Sequence, residues 1–300
     1  MGAMSVVVED AELAGAEAKR HWGAVGWGFG EVADTPGARR DSGSLQNCTI
    51  AAYFSDGHDI ASTVKLLVSA MQLPDTPSYT IESVANWEEA TQEAWPPVLL
   101  CDLTLRYPWH SDAEVETFLR SERVCGGATP HSLILQAGAA WGSGEHSTTQ
   151  LCCRWLRETL AGGRGGLRCL DYGAGSGVLG MAAALYGAQE VVGVEIDAAA
   201  IDVAHANAAL NGIDFKCYLP SEDFGQDFDL VVANILAQPL MQLSTELAGA
   251  VRPGGRLALC GIREYQAEEI VEAYSAYLAD VHVEAEDRGW VLITGHKRVS

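Results

Sequence analysis

A glycine-rich loop between a short apolar strand and a helix constrains the fold of this chain more than any other feature. The loop reads Asp171-Tyr172-Gly173-Ala174-Gly175-Ser176-Gly177 and follows the strand-like run 168–171. Glycines let a backbone turn sharply and approach a ligand at a point where a Cβ would collide. In a doubly wound sheet, ligands bind outside the carboxyl ends of the strands, where such a loop lies. The loop therefore predicts an α/β fold with a ligand at this edge of the sheet.

The sequence around the loop alternates between strand-like and helix-like segments from residue 133 onwards, which is typical of a parallel sheet covered by helices. The predicted strands are 168–171, 191–194, 214–219, 228–233, 256–260, 281–286 and 290–296. The predicted helices are 147–160, 177–186, 198–211, 238–250 and 264–278. Pro253-Gly254-Gly255 predicts a tight turn before strand 256–260. Asp287-Arg288-Gly289 predicts a hairpin, so the last strand should run antiparallel to the others.

The N-terminal part predicts a smaller α+β domain. Its predicted strands are 48–54, 79–84 and 98–105. Residues 59–72 have the apolar spacing of a helix, and residues 23–45, rich in Gly, Asp and Ser, predict a loop. Residues near 112–120 predict a short helix within a charged connector. We therefore divide the chain into a small domain at 1–107, a connector at 108–132 and a larger α/β domain at 133–300.

The charge of the chain limits its partners. The net charge is −21, with 40 acidic and 19 basic residues. Such a surface repels phosphate backbones, so direct nucleic-acid binding is not expected. It attracts basic partners, although the same charge also serves plain solubility. No apolar run of about 18 residues is present, so we expect no membrane span.

The cysteines and the N-terminus bear on the compartment. None of the eight cysteines forms a Cys-x-x-Cys pair, and no grouping of His, Cys, Asp and Glu has the spacing of a metal site. We therefore expect no metal and a reducing compartment. The N-terminus lacks the basic and apolar regions of a secretory signal. These features favour the cytoplasm, or an organelle matrix or stroma for a chain from which a targeting peptide has been removed.

An acidic residue after the second strand supports nucleotide binding. Glu195 follows strand 191–194, where a carboxylate can accept hydrogen bonds from the ribose hydroxyls of an adenosine. Gly175-x-Gly177-x-x-Gly180 formally matches the dinucleotide fingerprint, so a nicotinamide cofactor is one alternative, and a glycine turn without a ligand is another. S-adenosylmethionine is favoured because Asp171 precedes the first glycine, where it can hold the methionine end.

A later strand supplies a candidate catalytic group. Strand 228–233 is apolar and stops at Asn234. The amide oxygen of Asn234 and the backbone carbonyl of Ile235 can accept hydrogen bonds from an amine, orient its lone pair and stabilise the developing positive charge. The alternative is that Asn234 caps the following helix, a position that Asn favours.

A small, polar segment precedes residues 150–160 of the first predicted helix. It runs from Trp141 to Thr149 and contains His146 and Thr148. We predict that His146 and Thr148 belong to a loop at the substrate site. The alternatives are that Ser147 or Thr148 caps the helix and that His146 makes only local hydrogen bonds.

Taken together, these segments resemble the PrmA family, the methyltransferases of ribosomal protein L11. The likeness rests on Gly142-Ser143-Gly144-Glu145-His146-Ser147-Thr148-Thr149, on the loop 171–177 and on Val231-Val232-Ala233-Asn234-Ile235-Leu236-Ala237. It covers residues 133–298 well, and the N-terminal half less closely. The combination is specific, since most methyltransferases of this fold have neither the first segment nor the last.

The resemblance implies a class I, Rossmann-like methyltransferase domain of seven strands and a ferredoxin-like domain that recognises the substrate. It implies S-adenosylmethionine as methyl donor, S-adenosylhomocysteine as product, lysine methylation of ribosomal protein L11 and a monomeric enzyme. The cofactor residues carried over are Thr149, Gly173, Glu195 and Asn234, and Ser221 is expected near the adenine. The family usually has Asp where this chain has Glu195. Methylation of another basic protein and a non-catalytic, cofactor-binding role remain alternatives.

Overall fold

The computed structural model describes residues 2–8, 26–31, 48–54, 65, 96–121, 131–136, 146–161 and 165–299. The chain divides into two compact units, Met1–Pro96 and Pro97–Ser300. In the first unit, strands β1 (Gly2–Val8), β2 (Gly26–Glu31) and β3 (Cys48–Phe54) form an antiparallel sheet in the order β1-β3-β2. The predicted strand at 48–54 is confirmed.

The strand β2 corrects one prediction. It lies inside the segment 23–45, which the composition had indicated as a loop. Its glycines weaken the intrinsic preference for a strand, but six residues of β2 pair with β3, and the ladder hydrogen bonds of that pairing decide the conformation. The predicted helix 59–72, apart from Lys65, and the predicted strand 79–84 lie outside the described residues. The ferredoxin-like arrangement therefore stays a prediction.

The second unit begins with the strands β4 (Val98–Leu100) and β5 (Leu103–Arg106), followed by α1 (Asp112–Ser121) and β6 (His131–Ile134). The three strands form a small sheet in the order β4-β5-β6. The helix α1 confirms the prediction near 112–120. The predicted strand 98–105 is two strands, and they belong to the second unit, although the small domain was predicted to end at residue 107. The reason is packing, because the Gln150 side chain of the larger domain hydrogen-bonds the Leu99 carbonyl and the Cys101 amide.

The helices and strands that carry the main sheet follow in alternation. The first set is α2 (Ser147–Leu160), β7 (Arg168–Tyr172), α3 (Val178–Leu185), β8 (Glu190–Val194), α4 (Ala198–Leu210), β9 (Lys216–Tyr218) and β10 (Phe228–Asn234). The second set is α5 (Ala237–Gln242), α6 (Ser244–Ala250), β11 (Val251–Arg263), a 3₁₀ turn (Glu264–Gln266), α7 (Ala267–Ser275), β12 (Ala279–Asp287) and β13 (Trp290–His296).

These strands form a seven-stranded sheet in the order β12-β13-β11-β10-β7-β8-β9. The strands from β7 to β11 pair in parallel, whereas β13 runs antiparallel to both β11 and β12. This is the predicted class I methyltransferase sheet with an antiparallel last strand. The strand order reverses at β7, which lies between β8 and β10. Ligands bind at the carboxyl ends of the strands beside such a reversal. The topology therefore predicts a ligand site at the carboxyl ends of β7 and β10.

In the main sheet and its helices, three predicted elements differ from the structure by more than one or two residues at an end. The predicted helix 238–250 is two helices, because the backbone at Leu243 leaves the helical conformation with ψ near 6°. The predicted helix 264–278 is a 3₁₀ turn and a shorter helix. The strand predicted at 256–260 extends from Val251 to Arg263 and includes the predicted turn. Backbone hydrogen bonds of Gly254 and Gly255 to Lys297 hold that stretch beside the C-terminal segment.

The core lies against the sheet. Leu170 of β7, Val231 of β10 and Leu257 of β11 are buried together with Leu240 and Tyr274 from the helices. Burial of this continuous apolar surface is the main term that holds the sheet and its helices together. Among the described residues, every helix is too short or too polar to cross a membrane.

Candidate active site

Asp171 is a buried acid at the end of β7. It is 1% exposed, and its Oδ2 accepts a hydrogen bond from the Gly180 amide at 2.8 Å. Burial raises the pKa of Asp171 to about 7, the Gly180 hydrogen bond opposes this, and the nearby Glu195 carboxylate adds to it. Oδ1 is also buried and has no hydrogen-bond partner. Buried polar atoms are nearly always paired, so this carboxyl oxygen calls for a partner that the described residues do not supply, such as a ligand or an ordered water.

The glycines after Asp171 allow the close turn that was predicted. Gly173, Gly175 and Gly177 all have positive φ, at 80°, 53° and 79°, a region that residues with a Cβ rarely adopt. The amide of Gly173 donates to the Val194 carbonyl at 2.8 Å, which fastens the loop to the end of β8. A Cβ on Gly173 would also lie within 3.0 Å of the Ile235 side chain. Both the conformation and the available space therefore require glycine at position 173.

Gly180 has a packing role between the helix α3 and the sheet. It lies in α3, and a Cβ there would collide with the ring of Phe215, as would a Cβ on Gly193. The Phe215 ring therefore packs directly on the backbone of α3 and β8. The third glycine of a dinucleotide fingerprint has the same packing role, so Gly180 by itself does not distinguish a nicotinamide cofactor from S-adenosylmethionine.

Glu195 follows β8 and joins two loops. Its Oε2 accepts a hydrogen bond from the Gly175 amide at 2.9 Å, and its Oε1 accepts from the amides of Ile196 and Asp197 at 2.8 and 3.0 Å. A carboxylate has about four acceptor positions, so about one stays open. Direct hydrogen bonds to both ribose hydroxyls would therefore require one backbone bond to be exchanged. The Ile196 side chain beside it is 82% exposed and offers an apolar surface that the sequence interpretation missed.

Asn234 is the last residue of β10 and pairs with Cys260 of β11. The alternative role as a helix cap is wrong, because α5 begins at Ala237 and its N-cap is Leu236, with no side-chain cap. The next residue, Ile235, is held between two glycines. Its side chain lies against Gly173, and a Cβ on Gly261 would collide with the Ile235 backbone. This packing holds the Ile235 side chain against the glycine loop and the Ile235 carbonyl against Gly261 of β11.

His146 begins helix α2 as its N-cap. Its Nδ1 accepts a hydrogen bond from the Thr148 amide at 3.3 Å and lies 2.7 Å from the Thr148 hydroxyl. Its ring packs edge-on against Trp290 with centroids 4.9 Å apart. The prediction that Ser147 or Thr148 caps this helix is therefore wrong, because a histidine ring nitrogen takes that place. Local hydrogen bonding by His146 is confirmed.

Of the remaining predicted site residues, two are buried in a helix and one is exposed in a turn. Thr148 and Thr149 are buried in the first turn of α2. Ser221 is exposed in the turn after β9. The Glu195 amide donates to the Tyr218 carbonyl at 2.9 Å, so that turn begins at the same edge of the sheet. Residues 142–145 lie outside the described residues, and the roles of Thr149 and Ser221 stay predictions.

Asn207 supports the site and was missed from the sequence. It is a fully buried polar residue on α4. Its Nδ2 donates to the Ser176 carbonyl at 2.9 Å, and its Oδ1 accepts from the Gln136 amide at 2.7 Å. It thus ties the glycine loop to the chain that leads towards α2. An Asn inside an alanine-rich helix was the one available signal. Within the described part of the chain, no cluster of His, Cys, Asp and Glu has the geometry of a metal site.

The chain is similar to known proteins over its whole length. A family model described as ribosomal protein L11 methyltransferase (PrmA) matches residues 1–298. A ribosomal protein L11 methyltransferase from Burkholderia lata is 33% identical over 303 residues, which cover 100% of this chain and 92% of the relative. One from Thiobacillus denitrificans is 36% identical over 304 residues, covering 99% and 92%. The crystal structure of a ribosomal protein L11 methylase from Lactobacillus delbrueckii subsp. bulgaricus superposes with a TM-score of 0.56 at 26% identity, covering 68% of this chain and 100% of that chain.

Proposed function

Because the chain belongs to the PrmA family of ribosomal protein L11 methyltransferases, an S-adenosylmethionine-dependent family, we propose that it methylates lysine amino groups of ribosomal protein L11. The observation that carries the proposal is the whole-chain family match, supported by the contact between the glycine loop and Ile235, the residue after Asn234. The net charge of −21 suits a basic protein substrate.

The residues at the carboxyl edge fit the proposed methyl donor. The unpaired Oδ1 of Asp171 is a hydrogen-bond acceptor suited to the amino group of a methionine moiety, directly or through water. Glu195 suits a ribose hydroxyl, and the exposed side chain of Ile196 suits the face of an adenine ring. Gly173 and Gly175 give the loop a sharp turn that residues with a Cβ rarely adopt. When bound, S-adenosylmethionine supplies a methyl group on a positively charged sulfur.

Asn234 and Ile235 would hold the nucleophile. The Asn234 amide oxygen and the Ile235 carbonyl are two acceptors at one strand end, and a neutral lysine amine has two N–H groups to donate. Two such hydrogen bonds direct the nitrogen lone pair towards the methyl group. They also stabilise the positive charge that grows on nitrogen as the new bond forms. The packing of Ile235 between Gly173 and Gly261 supports this role, because it restricts the movement of the backbone that carries both acceptors.

The target lysine must lose its proton before it can attack. A free lysine has a pKa of about 10.4, so only a small fraction is neutral near pH 7. The proposed rate should therefore rise with pH across the neutral range. The transfer is a direct displacement at carbon, so it requires no covalent enzyme intermediate.

Labelling with a tritiated methyl donor tests the proposal. Purified ribosomal protein L11 incubated with the enzyme should acquire label on lysines, and the Asn234→Ala variant should add much less. If a different protein of a cell extract is labelled and L11 is not, that other protein is the substrate and L11 is not. Binding of the donor with no label on any protein would favour the non-catalytic alternative.

A further inference from the structure

The turn between β4 and β5 is packed against one face of the helix α2. The Cys101 amide in this turn donates to the Gln150 side chain at 3.2 Å, and Asp102 forms an ion pair with Arg157 at 2.9 Å. Cys153 lies between these two contacts on the same face of α2, since residues three and four apart are neighbours on a helix. The packing therefore brings Cys101 next to Cys153.

The two thiols are in contact, and both are reduced in the structure. The Cys101 Sγ donates to the Gln150 carbonyl at 3.7 Å, and the Cys153 Sγ donates to the Leu100 carbonyl at 3.9 Å. Each thiol thus touches the backbone of the segment that carries the other, and the two side chains also hydrogen-bond to each other. Contact between the side chains is what a disulfide needs first, since its Cβ atoms are only about 3.5–4.5 Å apart.

The two thiols differ in their access to solvent and in their acidity. Cys101 is partly exposed, whereas Cys153 is fully buried. The hydrogen bond from Cys153 lowers the pKa of the Cys101 thiol, burial opposes this, and the charge of Arg154 adds to the lowering. The same hydrogen bond raises the pKa of Cys153. Cys101 is therefore the member that forms a thiolate, and an accessible thiolate beside a second thiol is the arrangement of redox-sensing cysteines.

The backbone at Cys101 is strained. Its φ is 55°, in the left-handed region that glycine adopts freely and residues with a Cβ rarely do. Strained backbone of this kind clusters at functional sites. A glycine at position 101 would relieve the strain but would remove the thiol, so the strain is consistent with a use for the side chain.

We propose that Cys101 and Cys153 are a redox-sensitive pair, which closes to a disulfide with hydrogen peroxide and reopens in a dithiol reductant. The Cys101 thiolate attacks a peroxide oxygen, so that a sulfur–oxygen bond forms, the oxygen–oxygen bond breaks and hydroxide leaves. The Cys153 sulfur then attacks the Cys101 sulfur, the sulfur–oxygen bond breaks and a second hydroxide leaves. The two thiol protons convert both hydroxides to water, so one peroxide oxidises two thiols and is reduced to two waters.

The proton of the buried Cys153 has an acceptor nearby. The hydroxyl of Tyr186, directly after α3, lies 3.3 Å from the Cys153 Sγ and donates its hydrogen to Asp102 Oδ1 at 2.7 Å. Because that hydrogen points to Asp102, the Tyr186 oxygen can accept the thiol hydrogen of Cys153. Asp102 is about half exposed, so this path leads from the buried sulfur to solvent. Disulfides in a reducing compartment are usually transient and redox-sensing, which fits such a pair.

Cys152 and Cys260 provide an internal comparison. These two thiols also interact with each other, but both are fully buried, and burial raises the pKa of Cys152. Peroxide should therefore leave them reduced. Cys152→Ser is the matched control for Cys153→Ser, because the two positions are adjacent on α2 and both are buried.

Peptide mapping of the full-length wild type tests the inference. After treatment with hydrogen peroxide, blocking of the remaining thiols and digestion with trypsin, a bond between Cys101 and Cys153 should join peptides 66–106 and 124–154 with the loss of two hydrogens. Dithiothreitol should separate them again. The bond should form in Cys152→Ser and be absent in Cys101→Ser and Cys153→Ser.

Trapping of the intermediate tests which sulfur reacts first. In Cys153→Ser the sulfenic acid on Cys101 has no partner, so dimedone should label Cys101 in that variant, whereas Cys153 should stay unlabelled in Cys101→Ser. A peroxide-treated wild type without the bond between Cys101 and Cys153 would overturn the inference, and this result does not depend on the folding of any variant. Oxidation of Cys152 and Cys260 at the same rate, or labelling of Cys153 in preference to Cys101, would overturn it as well.

Discussion

The side chain of Ile235 lies against the backbone of Gly173, so that no Cβ fits on the glycine without displacing the isoleucine. This contact joins two parts of the site that come from different strands. Gly173 belongs to the loop after β7, and Ile235 follows Asn234 at the end of β10. Through it, the position of the loop and the position of the proposed catalytic groups depend on each other.

Gly173→Ala tests that dependence. The new Cβ meets the Ile235 side chain, and position 173 has a φ of 80°. We expect the variant to bind S-adenosylmethionine at least tenfold more weakly and to lose about 1–3 kcal/mol of stability, the usual cost of overpacking. Calorimetry and thermal unfolding measure the two effects. Gly187→Ala is the matched control, because Gly187 also has positive φ but has no atom within 4 Å of the new Cβ. Equal donor binding by wild type and Gly173→Ala would contradict the site.

Asn234→Ala removes the proposed amide acceptor. We expect kcat to fall about 10²–10³-fold, the usual loss when one preorganised hydrogen-bonding group leaves an active site. The Kd for S-adenosylmethionine should change by a smaller factor, since Asn234 acts mainly on the amine. Single-turnover methylation of L11 and calorimetry give the two numbers. A kcat within tenfold of wild type would remove Asn234 from the catalytic groups.

The buried acid Asp171 predicts a pH dependence of stability. Its pKa is raised from 3.8 to about 7 in the folded protein, so the folded state keeps a proton that the unfolded chain loses. The free energy of unfolding should therefore fall as pH rises from about 4 to about 7 and then level off. Asp171→Asn cannot ionise, so it should gain stability relative to wild type between pH 5 and pH 8. Urea unfolding of both proteins at pH 5 and at pH 8 measures this difference in stability. The exposed Asp214→Asn control should follow the wild type, and a constant difference between Asp171→Asn and wild type would refute the assignment.

His146 can be tested for a role beyond its helix cap. His146→Ala should cost about 1 kcal/mol, as the loss of an N-cap does. His146→Asn should restore most of that stability, because Asn caps helices well. If capping is the whole role, kcat/KM for L11 should recover along with stability in His146→Asn. Recovery of stability without recovery of activity would place His146 in the substrate loop, as the sequence predicts.

The order of elements in the main sheet could be predicted because local sequence patterns determine where each strand and helix lies. Alternating strand and helix segments set the order of elements from α2 to β13, and Asp287-Arg288-Gly289 gave the antiparallel end. The helix α2 was predicted with its observed bounds. Predictions failed where a long-range contact outweighs local preference. Pairing with β3 makes a strand of the glycine-rich segment Gly26–Glu31, and contacts with Gln150 bring β4 and β5 into the larger unit.

The sequence by itself determined which candidate residues lie at one edge of the sheet, because Asp171, Glu195 and Asn234 each stand at or just after the end of a recognisable strand. Only the tertiary structure decided how these groups are held. The unpaired Oδ1 of Asp171, the three backbone hydrogen bonds to Glu195 and the support from Asn207 depend on residues far apart in the chain. The glycine loop shows both sides of this division. Its glycines predict a close turn from the sequence alone. Position 173 accepts no side chain because Ile235 lies against it, and only the folded sheet brings these two residues together.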